Sequence, residues 1–362
     1  MPEFLQASIQ VLLGIGLLFG GGELFVQGSV AMAVIFGIPQ LVIGLTVVSL
    51  GTSAPELFVS LSSVLQGADA LAVSNVVGSN IFNVMVVLGS SALVLPLRVE
   101  SRLVRRDVPL MIAISAAVWG MASAGRVTWQ AGLSLLLGLV INTIWEIRTA
   151  REQPDDSGSA EPEISDEANK GGLIPASVRI IAGISVLSIG SRVLVNGAVS
   201  AATLLGVSEA VIGLTIVSAG TSMPELITSL VAALRGRTDL AIGNVVGSNL
   251  MNLLLILGAC AVATGGGGLA VDPVLISRDF PLMVAATLAC LPIFWSGGVI
   301  NRWEGAVLVV LYALYLVEQV LSNTMPLGDE DPFRLVVLVV VLPAVLVFIA
   351  WTTLSWKRSR KA

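Results

Sequence analysis

The 362-residue chain has no histidine, two cysteines, two tyrosines and only 12% charged residues. The missing imidazole removes every histidine-based metal site and acid/base scheme. Cys260 and Cys290 lie in apolar segments without motif spacing, which reads as core packing rather than a disulfide or a metal site. Soluble domains carry about 25% charged residues. Here that share is halved, 55% of residues are hydrophobic and the mean hydropathy is +0.93. The composition excludes a soluble globular protein and predicts an all-α polytopic membrane protein.

A span needs roughly 20 apolar residues, and the sequence offers segments at about 5–34, 39–65, 70–96, 108–125, 128–147, 173–204, 209–234, 238–262, 279–298, 303–322 and 333–355. The first has no basic residues before it and no cleavage site after it, so it reads as a span and not as a removed signal. Lys and Arg stay on the cytoplasmic side. With the N-terminus outside and eleven spans, 15 basic residues fall inside and 3 outside, while Arg192 falls within a span. Six of the seven tryptophans, among them Trp129, Trp145, Trp295 and Trp303, lie near predicted span ends, where amphipathic rings settle.

A shift of 169 residues lays 44–89 onto 213–258 with 26 of 46 positions identical, including Gly, Thr, Ser, Pro, Glu and Asn. Five spans separate equivalent points, and an odd number reverses direction, so the copies are expected to run oppositely through the membrane. The organisation is then an N-terminal five-helix repeat at 1–150, with its core motif at about 39–96. An acidic cytoplasmic linker follows at 151–172, without EF-hand spacing. A C-terminal five-helix repeat at 173–322 has its core motif at about 208–262, and an extra C-terminal helix with a basic tail occupies 333–356. Inverted repeats with interrupted helices point to a transport site at the membrane midplane.

Only Glu23, Glu56 and Glu225 of the 24 acidic residues fall at membrane depth, the other 21 being assigned to loops or span ends. A carboxylate at a helix centre costs at least ~2.5 kcal/mol, so such a residue is functional by default. Arg192 aligns with Glu23 across the repeat, and these two are assigned to structure, to each other. Glu56 and Glu225 then stay unneutralised. Pro55 and Pro224 remove the helical hydrogen bonds to the carbonyls of Gly51 and Gly220, and free carbonyls at this depth are tolerated where they line a cavity. Ser49, Thr52, Ser53 and Glu56 share one helix face, as do Ser218, Thr221, Ser222 and Glu225. Asn75, Ser79 and Asn83 form a second stripe, repeated as Asn244, Ser248 and Asn252. Carboxylate, hydroxyl, amide and carbonyl oxygens without nitrogen or sulfur donors suit Ca²⁺ or Na⁺. Two carboxylates balance one Ca²⁺, which Na⁺ ions or protons replace in an exchanger.

The duplicated GTSAPE…SNVVGSN and GTSMPE…GNVVGSN segments resemble the α-repeats of the cation/Ca²⁺ exchanger superfamily, most closely its prokaryotic sodium/calcium exchanger branch, with an architecture covering 1–320. The resemblance implies an antiporter of the prokaryotic plasma membrane that carries Ca²⁺ against Na⁺ and has no cofactor. It implies alternating access switched by two long helices, here 5–34 and 173–204. Lipid and the transported ions are the implied partners, with no nucleic acid and no obligatory protein. It also implies Glu56 and Glu225 as central Ca²⁺ ligands and backbone carbonyls from Thr52 and Thr221. Hydroxyls from Ser53, Ser222, Ser79 and Ser248 would serve Na⁺, beside the carbonyls of Ser49 and Ser218, with Asn83 and Asn252 completing the centre. Some members carry aspartate where this chain has Asn252, which leaves stoichiometry and K⁺ dependence open.

The rival within the class is a proton-coupled Ca²⁺ exchanger, because a glutamate that binds Na⁺ also binds H⁺; a K⁺-dependent exchanger is a further alternative. A serine hydrolase built on Ser53 or Ser222 lacks any histidine, and all three lysines lie in the linker or the tail, so no buried base is present.

Overall fold

The structure, a computed structural model, describes residues 2–152, 172–206, 216, 218–295 and 298–324. Of the linker expected at 151–172, residues 151–152 end the helix Trp129–Glu152 and 153–171 lie outside the described residues, as do the eleventh span at 333–356 and the basic tail. Helix α1 (Pro2–Phe36) is followed by α2 (Gln40–Thr52) and α3 (Ala54–Leu65), one span bent by 45°. Helix α4 (Asp69–Val94) leads to strand β1 (Leu97–Arg98), helix α5 (Val108–Ala122), strand β2 (Arg126–Val127) and helix α6 (Trp129–Glu152). The second half follows the same order: α7 (Leu173–Leu204), the broken pair α8 (Ser218–Thr221) and α9 (Met223–Leu234), then α10 (Thr238–Ala263). It closes with β3 (Leu269–Ala270), α11 (Leu275–Trp295), β4 (Val299–Ile300) and α12 (Arg302–Thr324). Seven of the described helices are long and apolar enough to cross a membrane, and eight if the bent pair counts as one span.

Proline creates the breaks. Pro55 and Pro224 stand in the first turn of α3 and α9, where the missing N–H is tolerated at a new helix start but not inside a continuous helix. The hinge residues Ser53 (φ −81°, ψ 5°) and Ser222 (φ −89°, ψ 9°) leave helical geometry in the same way. The helices crossing beside the breaks are wound loosely: π-turns run over Asn83–Leu88 in α4 and Asn252–Ile256 in α10, a form concentrated at functional sites.

Helices α4 and α10 form the buried centre, while α6 and α12 present exposed apolar residues such as Leu137, Ile141 and Val310, as a lipid-facing surface requires. Glycine sets the closest crossings. A Cβ on Gly243 would meet the Leu41 carbonyl oxygen at 2.7 Å, so α10 passes α2 at backbone distance. Helices α1 and α7 pair antiparallel along almost their whole length through Gly14, Gly21 and Gly28 on one side and Gly183, Gly190 and Gly197 on the other. A methyl group at Gly183 would sit 2.7 Å from the backbone nitrogen of Phe25, and one at Gly21 2.8 Å from that of Leu187.

Two short antiparallel ladders join the halves outside the helices: Leu97 pairs with Ile300, and Val127 with Leu269. The packing of the long pair is one-sided. Helix α1 lies against α9, and Gly22 approaches Ile227 and Val231 there, whereas α7 makes no comparable contact with α3 among the described residues. Phe58 and Val59 of α3 are accordingly exposed, and their counterparts Ile227 and Thr228 are buried.

One expectation is corrected. Glu23 does not pair with Arg192. The contacts Gly14–Leu194, Gly21–Leu187 and Gly28–Ile180 fix a register that offsets the two residues by seven positions, or about 10 Å along the helices. Glu23 instead binds Arg235 beyond the end of α9, at 2.7 Å, and accepts a bond from Gln27. The acids assigned to loops and span ends also include residues buried between helices. Asp107 is bound by Arg106, Glu146 by Arg102 and Arg106, and Asp279 by Arg278, Tyr315 and Gln319. Both aspartates close a π-turn, Leu103–Asp107 and Leu275–Asp279. The Arg106 guanidinium also lies 3.5 Å from the centre of the Trp145 ring. Sequence separation hides such partners, because Glu146 stands one hairpin away from the arginines that neutralise it.

Candidate functional site

The two breaks meet in the centre and exchange partners. Ser53 at the first break donates to Glu225 Oε1 at 3.0 Å, and Ser222 at the second donates to Glu56 Oε1 at 3.0 Å. Ser79 Oγ stands 3.0 Å from Ser222 Oγ, and Ser248 Oγ stands 3.4 Å from Thr52 Oγ1. Each glutamate lies in the first turn of its helix and is 1% exposed. A carboxylate is favoured at a helix N-terminus, where backbone N–H groups point outward. Neither break completes its own surroundings, because the hydroxyl facing each carboxylate comes from the opposite half of the chain.

The asparagines of the second stripe brace this arrangement. Asn75 Nδ2 donates to Ser60 Oγ at 2.9 Å and to the Glu56 carbonyl at 3.4 Å, while its Oδ1 accepts from Thr221 at 3.3 Å. Asn244 repeats the pattern with Ser229 at 2.9 Å, the Glu225 carbonyl at 3.3 Å and Thr52 at 3.1 Å. Ser60 and Ser229 are buried contributors that the reading of motifs passed over. The signal was present, because each follows its glutamate by four residues and so lies on the same helix face. Asn244→Ala leaves Ser229 and Thr52 without their amide partner. A polar contact inside a membrane bundle is worth about 1 kcal/mol, so the variant is expected to melt several degrees lower in detergent, as followed by thermal-shift size-exclusion chromatography.

Of the expected site residues, Glu225, Ser53, Thr52 and Ser248 are joined through Asn244 in one hydrogen-bonded set, and Glu56, Ser222, Ser79 and Thr221 through Asn75 in a second, each set drawing on both halves of the chain. The Ser49 hydroxyl turns back to the Leu45 carbonyl at 2.8 Å, and the Ser49 carbonyl accepts from the Ser53 N–H at 3.0 Å. Ser218 begins α8, and its side chain lies outside the described residues. Asn83 and Asn252 open their π-turns one helical turn beyond Ser79 and Ser248. The turn carrying Asn83 packs on α9, which holds Glu225, and that carrying Asn252 packs on α3, which holds Glu56.

Buried polar atoms usually find partners, and leaving one without a partner costs about 1–3 kcal/mol. Here Glu56 Oε2, Glu225 Oε2 and both amide atoms of Asn83 and Asn252 are buried without a hydrogen-bond partner. Four oxygens with unused lone pairs, two of them carrying charge, suit a hard cation bound through oxygen. Among the described residues no three His, Cys, Asp or Glu side chains come together, so the formal charge at the pair is set by two carboxylates.

Known proteins share this architecture. A sequence profile of the family described as sodium/calcium exchanger protein matches residues 7–147 and 176–321. The putative antiporter CaxA of Alkalimonas amylolytica is 36% identical over 314 residues, spanning 86% of this chain and 98% of that one. Sodium/calcium exchanger MaX1 of Methanosarcina acetivorans is 31% identical over 341 residues, spanning 85% and 96%. The fold superposes on the solved structure of the sodium-calcium exchanger NCX_Mj with a TM-score of 0.72 and 30% identity, covering 87% of this chain and 99% of that one.

Proposed function

Because the chain belongs to the sodium/calcium exchanger protein family, and is thereby a membrane-embedded cation/Ca²⁺ exchanger and not an enzyme, we propose that it exchanges Ca²⁺ for Na⁺ at the Glu56–Glu225 centre. The observation that carries this reading is the pair of buried carboxylates with an unpartnered oxygen each, beside the unpartnered amides of Asn83 and Asn252. Ca²⁺ satisfies two negative charges at once. When it leaves, the hydroxyls of Ser53, Ser222, Ser79 and Ser248 and the carboxylates offer smaller oxygen sets for Na⁺. An empty site leaves two charges at membrane depth, so one cargo must replace the other before the protein reorients, and that is the condition for countertransport.

Access is proposed to alternate through the α1/α7 pair. Its close contact with α9, and the absence of a comparable contact with α3 among the described residues, support two states of a pseudo-symmetric core, one in each direction. The proposed orientation follows the distribution of basic residues, with the N-terminus outside and residues 151–172 and the C-terminal tail in the cytoplasm of a prokaryotic cell.

Coupling is tested by ⁴⁵Ca²⁺ uptake into proteoliposomes with Na⁺, H⁺ and K⁺ gradients imposed one at a time. An outward Na⁺ gradient is expected to drive uptake, and a pH gradient alone is not. Uptake driven by the pH gradient and indifferent to Na⁺ would replace Na⁺ with H⁺ as the competing ion at the same carboxylates.

A further inference from the structure

The break in the second repeat is held by a residue outside both repeat motifs. Pro224 has no N–H to offer the Gly220 carbonyl, and a carbonyl without a partner at membrane depth costs several kcal/mol. The donor comes from the long helix α7, where the buried Ser191 hydroxyl binds the Gly220 oxygen. Gly220 directly precedes Thr221 and Ser222, whose hydroxyls reach Asn75, Glu56 and Ser79. One hydrogen bond therefore joins the moving pair to the backbone of the ion site.

Among the described residues the first repeat shows no such bond. The position 169 residues before Ser191 is Gly22, which carries no donor. The equivalent carbonyl belongs to Gly51, and a Cβ built on that glycine would meet apolar atoms of Phe25 and Ile184 at 2.9 and 2.8 Å. The ion-site residues match across the two halves while the residues that touch the breaks from α1 and α7 do not.

We propose that Ser191 is a positioning residue that couples α7 to cation occupancy at the second break: its hydroxyl and the transported cation compete for the Gly220 carbonyl oxygen. This rests on the exchange site proposed above. With the hydroxyl on the oxygen, α7 is tied to α8 and the carbonyl is occupied. With a cation on the oxygen, Ser191 is released and α7 is free to move. Ion affinity and helix position are then linked, and each shifts the other by the same factor. Because Gly22 provides no counterpart, the link operates on one face of the membrane only.

The test is Na⁺-dependent ⁴⁵Ca²⁺ flux in right-side-out and inside-out vesicles with Ser191→Ala and Ser191→Thr. Removing the competing hydroxyl is expected to lower the half-saturating Na⁺ concentration on one face about three- to tenfold, the equivalent of one net hydrogen bond. The other face is expected to stay unchanged, and Ser191→Thr, which keeps the hydroxyl, to restore the original value. Unchanged affinity on both faces, an equal shift on both, or failure of threonine to restore it would overturn the proposal. Should Ser191→Ala not extract as a folded protein, Ser191→Cys, a weaker donor of similar size, is read in the same assay against the same outcomes. Glu225→Gln run in parallel separates the two readings. If it still exchanges Ca²⁺, the site itself is wrong; if it is inactive while Ser191→Ala shifts neither face, the coupling alone is wrong.

Discussion

Replacing either Glu56 or Glu225 with glutamine is expected to abolish Ca²⁺ countertransport while leaving a folded, extractable protein. Glutamine keeps the shape, and its Oε1 still accepts from Ser222 or Ser53, but the site falls from two negative charges to one and no longer balances a divalent ion. Removing one member of a buried, paired charge set costs about 3–5 kcal/mol, roughly two to four orders of magnitude in affinity. The fold should not suffer in proportion, because the substitution also removes the cost of burying an ion that has no permanent counter-charge. The measurement is ⁴⁵Ca²⁺ flux in proteoliposomes, with size-exclusion chromatography of the same preparation as the control for folding. Exchange retained in both variants would mean that the carboxylates serve the fold and that the ions pass elsewhere.

Gly183→Val is expected to stop exchange by a different route, with ion binding retained. The nearest atoms to a Cβ at that position are the backbone and Cβ of Phe25 at 2.7–2.8 Å, so no rotamer change relieves the clash and α1 and α7 must separate. Lipid supplies no hydrophobic force to close the gap again, since helix association in the membrane rests on close packing. Equilibrium ⁴⁵Ca²⁺ binding in detergent should persist, because none of the site's side chains lies on these helices, and flux in liposomes should be lost. The control is Gly20→Val on α1, where an added Cβ meets nothing within 4 Å and flux should be preserved. Equal loss of flux in both variants would dissociate the effect from the glycine contact.

Much of the centre was readable in the sequence because it is written twice. Glu56 and Glu225 stood out as charges in apolar runs, and the shift of 169 brought Ser53, Ser79, Thr52 and their counterparts forward together. The exchange of partners was less legible: three positions apart, Ser53 and Glu56 would be neighbours on a continuous helix, and only the break at Ser53 and the packing of the second half turn the hydroxyl to Glu225. The glycines of α1 and α7 carried a signal that went unread: Gly14, Gly21 and Gly28 recur at the same shift as Gly183, Gly190 and Gly197. They lie outside the segment where identity is dense. Antiparallel packing then fixed the register that misled the pairing of Glu23 with Arg192, because residues equivalent by symmetry are not the residues that lie side by side. Buried Asp107 and Asp279 were placed at span ends for a related reason. Charge alone suggests an interface with water, and the adjacent Arg106 and Arg278 fit that reading; only the fold shows that Glu146, Tyr315 and Gln319 of neighbouring helices pack around the same groups.

The ladders that pair β1 with β4 and β2 with β3 impose an order of events during synthesis. Strand β1 is complete long before its partner exists, and at 5–20 residues per second the roughly 200 residues between them take about 10–40 s to emerge. Glu56 waits nearly as long for Ser222, which follows it by 166 residues. The first half must therefore reside in the bilayer for tens of seconds with a carboxylate and a sheet edge unsatisfied, and its survival in that interval depends on whatever shields it until the second half arrives.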